Sequence, residues 1–140
     1  MMYIDDILEL IKDLAKHNLL IANSLATDED SDVNDWCRLC RLGDMLVALH
    51  HLILAEKLFG NALYGEMEKM KTSEEDSKWT FPVEKAFNDF AKNILFNDLE
   101  QILNFSRSWK FKDYRARNFQ NELRQKMEKV RDEYKERFEL

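Results

Sequence analysis

At 140 residues, with 45% hydrophobic and 34% charged side chains, the chain is long enough for one domain with its own core and too apolar to stay unfolded. Only two cysteines occur, which argues against a secreted disulfide framework. The formal net charge of −6 is unevenly placed: residues 1–106 hold 10 Lys/Arg against 20 Asp/Glu, and residues 107–140 hold 11 against 7. The acidic body disfavours general nucleic-acid affinity, with the basic C-terminal part the one exception.

Three Gly and one Pro leave room for few turns, and β-branched residues are scarce beside Leu, Glu, Lys and Asp, so long helices are expected. The fold class predicted is all-α: an antiparallel four-helix bundle in a single domain over 1–140, its C-terminal helix (110–138) projecting. The opening MMYIDDILEL carries acids where a signal peptide needs Lys or Arg. The uncharged run Met45–Ala55 is far short of the roughly 20 residues that span a bilayer. A cytoplasmic location and no membrane partner are therefore expected.

The first helix is predicted from about Ile4 to Ala26. Ile4, Ile7, Ile11, Leu14, Asn18, Ile21 and Leu25 recur at alternating spacings of three and four, the seam of a helix packed along a neighbour. Asn18 is the one polar seam position. It either fixes the register from inside or reaches solvent by a slight helix rotation. Thr27–Asp35, TDEDSDVND, reads as a turn whose last residues cap the second helix. It lacks the central Gly and closing Glu of a calcium loop.

The second helix is predicted from Val33 or Asn34 to about Lys71, roughly 55 Å of helix, with a bend or split at Gly60 or Gly65. From Met45 to Ala55 only His50 and His51 are polar, so this helix is expected at the centre, enclosed by the others. Thr72–Lys78 reads as a polar connection. The third helix opens around Pro82 with Thr80 or Phe81 as cap. Its face runs Val83, Phe87, Phe90, Ile94 and then Leu95, Leu99, Ile102, a one-position shift that suggests two neighbours. Phe105–Trp109 is the expected last connection. The fourth helix follows from about Lys110 to Phe138, with the stripe Ala116, Phe119, Leu123, Met127, Val130, Tyr134 and Phe138. That helix is longer than its antiparallel partner. Its last turns are therefore expected either to dock inside the chain or to pair across a homodimer, with the dimer preferred.

Motifs that carry catalysis are scarce. There is no Gly-rich phosphate loop, nucleophile elbow or kinase signature. Cys37 and Cys40 form a C-x-x-C without a preceding strand or a second pair, and read as two buried apolar thiols. Adjacent His50 and His51 point about 100° apart on a helix and cannot aim at one atom. In an antiparallel hairpin through the 27–33 turn, position i faces about position 60 − i. His17 then falls near Asp44, an Asp–His pair more often structural than catalytic.

The most suggestive segment is Phe105–Phe119, FSRSWKFKDYRARNF. Its Arg107, Trp109, Lys110, Lys112, Tyr114, Arg115 and Arg117 mix cations with aromatic rings, as protein hot spots and single-strand binders both do. The alternative is a bundle cap whose cations balance the acidic body. The leading functional expectation is a non-enzymatic protein-interaction module: an adaptor, an assembly subunit, or an inhibitor, of phage or mobile-element type, that occupies a partner's surface. These seven residues are the expected partner-binding site, with no cofactor and no metal. A nucleic-acid-associated protein using 105–119 is the second class. A small enzyme with a metal at His17, Asp44 and the His pair is the third.

Overall fold

The computed structural model describes residues 2–70, 85, 86 and 88–137. Its long elements are α1 (Ile4–Ala26), α2 (Val33–Met70), α3 (Phe96–Arg107) and α4 (Tyr114–Arg137), with a π-helical turn, Ala91–Leu95, leading straight into α3. No strand occurs among the described residues. The predicted third-helix start near Thr80–Pro82, the Thr72–Lys78 connection, Phe87 and Phe138 all lie outside them.

The helices form a ring in which α1 packs on α2, α2 on α3, α3 on α4 and α4 on α1. Each neighbouring pair runs antiparallel. Asp5 at the start of α1 pairs with Lys57 far along α2 at 2.6 Å. Arg41, early in α2, lies over the ring of Phe105 at the end of α3. Lys135 near the end of α4 lies over Phe96 at the start of α3. The Met2 amide meets Glu133 at 2.8 Å while Arg115 meets Asp28 at 3.0 Å, closing α4 onto α1.

The seam expected of α1 is buried from its second position on, as Ile7, Ile11, Leu14, Asn18, Ile21 and Leu25; Ile4 is half-buried, and Ala22 joins the buried face. Asn18 takes the interior option. Its Nδ2 donates to the Leu39 carbonyl at 2.9 Å. A Cβ on Gly43 would come within 2.5 Å of the Asn18 Oδ1, so any larger residue there would have to push the Asn18 side chain off its bond to Leu39. The register that results, Asn18 beside Gly43 and Asp5 beside Lys57, is the expected one of positions summing to about 60.

Four expectations about the elements are corrected. The second helix is not split: α2 continues through Gly60 and Gly65 to Met70. A helical glycine costs only about 1 kcal/mol relative to alanine, too little to break a helix of this length. Nor is α2 enclosed. Leu39, Leu42, Leu46, Leu49 and Ile53 are buried, but Val47, Ala48 and His51 are exposed, because a member of a four-helix ring keeps one side outward.

In the third helix Ile94 is 45% exposed and Leu95 is fully buried. The π-helical turn inserts one residue, so the buried face steps by five from Phe90 to Leu95 before resuming at Leu99, Ile102 and Leu103. The last helix starts four residues late, at Tyr114. Phe111 enters the core instead, and Asp113 caps α4 by accepting the Arg115 amide at 2.8 Å.

The end of α4 does not present a free apolar stripe. Val130 and Tyr134 are buried within the chain. The Tyr134 hydroxyl donates to Glu56 at 2.8 Å, and the Arg137 guanidinium lies 3.8 Å from the same carboxyl group. Val130 and Tyr134 thus dock inside the chain, while Leu58 and Phe59 of α2 stay exposed.

Candidate interaction surface

The α3–α4 loop is built around a buried carboxylate. Asp35, in the first turn of α2, has no solvent exposure. It accepts the Trp109 indole N–H at 3.1 Å and the backbone N–H groups of Lys112 and Asp113 at 3.0 and 2.9 Å. The capping role expected of the acidic turn falls to Asp32, whose Oδ1 accepts the Asn34 and Asp35 amides. Lys112 also bonds Asp32, at 2.9 Å. That bond holds the Asp32 carboxyl below, and the Lys112 ammonium above, their ordinary ranges.

The remaining cations of the segment are similarly engaged. Arg115 bonds Asp113, Asp28 and Ser24. Its bonding to Asp113 leads the causes that push the guanidinium higher still and hold the Asp113 carboxyl low. Arg107 pairs with Glu128 at 2.6 Å, and Arg117 donates to the Lys112 carbonyl at 2.9 Å. Gln120 bonds the carbonyls of Ser106 and Trp109. Of the seven residues expected to bind a partner, Lys110 and Tyr114 stand exposed without such bonds. The segment closes one end of the bundle, and most of its cations serve that closure.

The sequence-predicted titratable constellation is not assembled. His17 turns towards α4, with its Nδ1 2.9 Å from Glu122 and its ring edge-on to Phe119. Asp44 and His50 face a different space, the outer junction of α1 and α2. Lys126, first, and His17 hold the Glu122 carboxyl low. Among the described residues no three His, Cys, Asp or Glu side chains are grouped to hold a metal ion. The cysteines are free. Cys37 is exposed rather than buried, and burial pushes the Cys40 thiol up, away from the thiolate that reactivity requires.

The α1–α2 junction is a groove of about 440 Å³. Ala15, Asn18, Ala22 and Gly43 keep it deep, because small side chains and the missing Cβ leave space between the helices. Leu19 and Val47 stand beside it at 60% and 49% exposure. Lys12 and Lys16, one turn apart, edge the α1 side, and Asp44 lies on the α2 side. No motif in the sequence marks this surface. Its trace is indirect: Leu19 falls off the seam of α1, and Val47 belongs to an apolar run too broad for one buried face.

Comparison with protein-family models, with curated proteins and with solved structures found no match. No helix among the described residues is long and apolar enough to cross a membrane.

Proposed function

We propose that the chain is a small, non-enzymatic, cytoplasmic interaction module whose α1–α2 groove takes an amphipathic helix of another protein. The observation that carries this reading is the groove itself. It is concave and apolar-walled, on a bundle that already buries a full set of core residues from all four helices. A helix laid in such a groove buries its apolar face without rearranging the host. The charges at its sides give the occupant an orientation. Acidic side chains belong along its Lys12 and Lys16 flank, and a basic one opposite Asp44. The free cysteines suit a reducing compartment.

The test is affinity capture from the native host with the wild-type chain and with Val47→Glu. That position is half-exposed, so the substitution should leave melting unchanged. The partner recovered with wild type is expected to be lost with Val47→Glu and to contact the groove through a helix with acids along one edge. Recovery of the same partner with both proteins would remove the groove from the interface. A partner consisting of a second copy of this chain, seen as a dimer mass in light scattering that Val47→Glu abolishes, would replace the heterologous reading with self-association.

A further inference from the structure

Most guanidinium groups in this chain meet a carboxylate or a carbonyl: Arg107 on Glu128, Arg115 on Asp113 and Asp28, Arg117 on Lys112, Arg131 beside Glu100, Arg137 near Glu56. Arg38 and Arg41 differ. Among the described residues neither makes an ion pair or a side-chain hydrogen bond. Instead, the Arg38 guanidinium lies 4.6 Å from the centre of the Trp109 ring and 5.5 Å from that of Phe105, with Arg41 5.8 Å from Phe105. The rings take up guanidinium faces. The N–H edges, which pair with planar oxyanions two bonds at a time, are left unused.

The platform is fixed from behind. Trp109 is tied through its indole N–H to the buried Asp35 and through its carbonyl to Gln120. Positions three apart on a helix are neighbours, and two like charges there repel. An anion between them reverses that sign.

We propose that Arg38 and Arg41, backed by Trp109 and Phe105, form a carboxylate-binding site that takes an acidic peptide segment of a partner protein. The site does not rest on the groove: it faces the α3 side of α2, and the groove faces the α1 side. A short run of Asp or Glu suits it better than a nucleic-acid strand. A strand needs a longer track of free cations, whereas Lys112 and Arg115 beyond the platform are already paired with acids. Trp and Arg are also among the side chains enriched where protein interfaces concentrate their energy.

The test is an anisotropy titration at low ionic strength with three labelled probes: hexaglutamate, hexaglutamine and a six-nucleotide oligothymidylate. Wild type is expected to bind hexaglutamate best, with no measurable binding of hexaglutamine. Arg41→Gln, at an exposed position, should weaken hexaglutamate at least about tenfold, the loss of one charge-assisted hydrogen-bonded contact. Arg38→Lys with Arg41→Lys keeps the charge and loses the planar fork, and should weaken it several-fold. Lys126→Gln, at a cation already paired with Glu122, should leave it unchanged. The proposal is overturned if hexaglutamate fails to bind, if Arg41→Gln binds it as wild type does while melting normally, or if oligothymidylate binds more tightly. None of these outcomes depends on the groove variant Val47→Glu.

Discussion

Asp35 shows how much one side chain can organise. A carboxylate without solvent is costly unless its lone pairs are filled, and here three donors from Trp109, Lys112 and Asp113 fill them. Asp35→Ala strands all three near the bundle end, and a loss of about 3 kcal/mol is expected in urea unfolding. Asp35→Asn keeps one acceptor oxygen and should lose about half as much. An unchanged midpoint for Asp35→Ala would mean that the loop is held by Phe111 alone. Glu56 is the opposite case. Burial, against the Tyr134 hydrogen bond and the Arg137 charge, pushes its carboxyl above the ordinary range. The folded state therefore holds this proton more tightly than the unfolded one. The contribution of Glu56 to stability falls as pH rises from the unfolded value near 4.5 through the raised folded value. Glu56→Gln removes that fall and keeps an acceptor for Tyr134. The melting temperature of the variant, relative to wild type, should climb between pH 4 and pH 7. A constant difference across that range would show that Glu56 does not titrate differently in the two states.

At the scale of elements, the α1–α2 pair depends on one close approach. Gly43→Ala places a methyl group against the Asn18 Oδ1, and overpacking of this kind costs about 1–3 kcal/mol. Asn18→Ala alone should also destabilise, through the lost Leu39 bond. The two together should cost less than their sum, because the second change removes what the first collides with. Strict additivity in thermal melts would mean that the helices separate to relieve the clash.

The same pair shows what the sequence made legible. Strict three-and-four spacing in α1 and α4 marks the buried faces from Ile7 to Leu25 and from Ala116 to Tyr134, since a narrow stripe has one way to face a core. The broad run in α2 carries no such phase information, so it does not tell the enclosed side of the helix from the outer side that holds Val47, Ala48 and His51. The one-residue shift at Ile94 and Leu95 was visible, but a π-helical turn and a change of neighbour leave the same trace. The cations of 105–119 were visible as well. Their pairing was not, because Asp28, Asp32 and Glu128 reach them only through the fold.

For the whole molecule, the charge asymmetry of the sequence becomes internal pairing. The basic segment 107–140 lies against the acidic body at Arg115–Asp28, Lys112–Asp32 and Arg137–Glu56. Asp32, Asp113 and Glu122 have carboxyls held low by their cationic partners. Their stabilisation is complete above the unfolded values of 3.8 for Asp and 4.5 for Glu. It is lost as pH falls through the lower folded values. Stability against urea should therefore drop steeply below about pH 4, and more steeply at low than at high salt. A flat profile from pH 5 to pH 2 would show that these pairs are already dissociated in solution.

The staple at Asp35 also bears on the order in which the chain assembles. Asn18 reaches Leu39 across 21 positions, whereas Asp35 reaches Lys112 and Asp113 across 77 and 78. Closing the longer loop costs more chain entropy before any bond rewards it. The α1–α2 hairpin is thus expected to nucleate folding, with the α3–α4 loop locking afterwards. In stopped-flow chevrons, Gly43→Ala should mainly slow refolding, and Asp35→Asn should mainly speed unfolding. If Asp35→Asn instead slowed refolding as much as it destabilised, the two distant ends of the staple would already be together at the barrier. Otherwise Asp35 acts as a latch: it sets how long the folded bundle lasts and has little influence on how fast it forms.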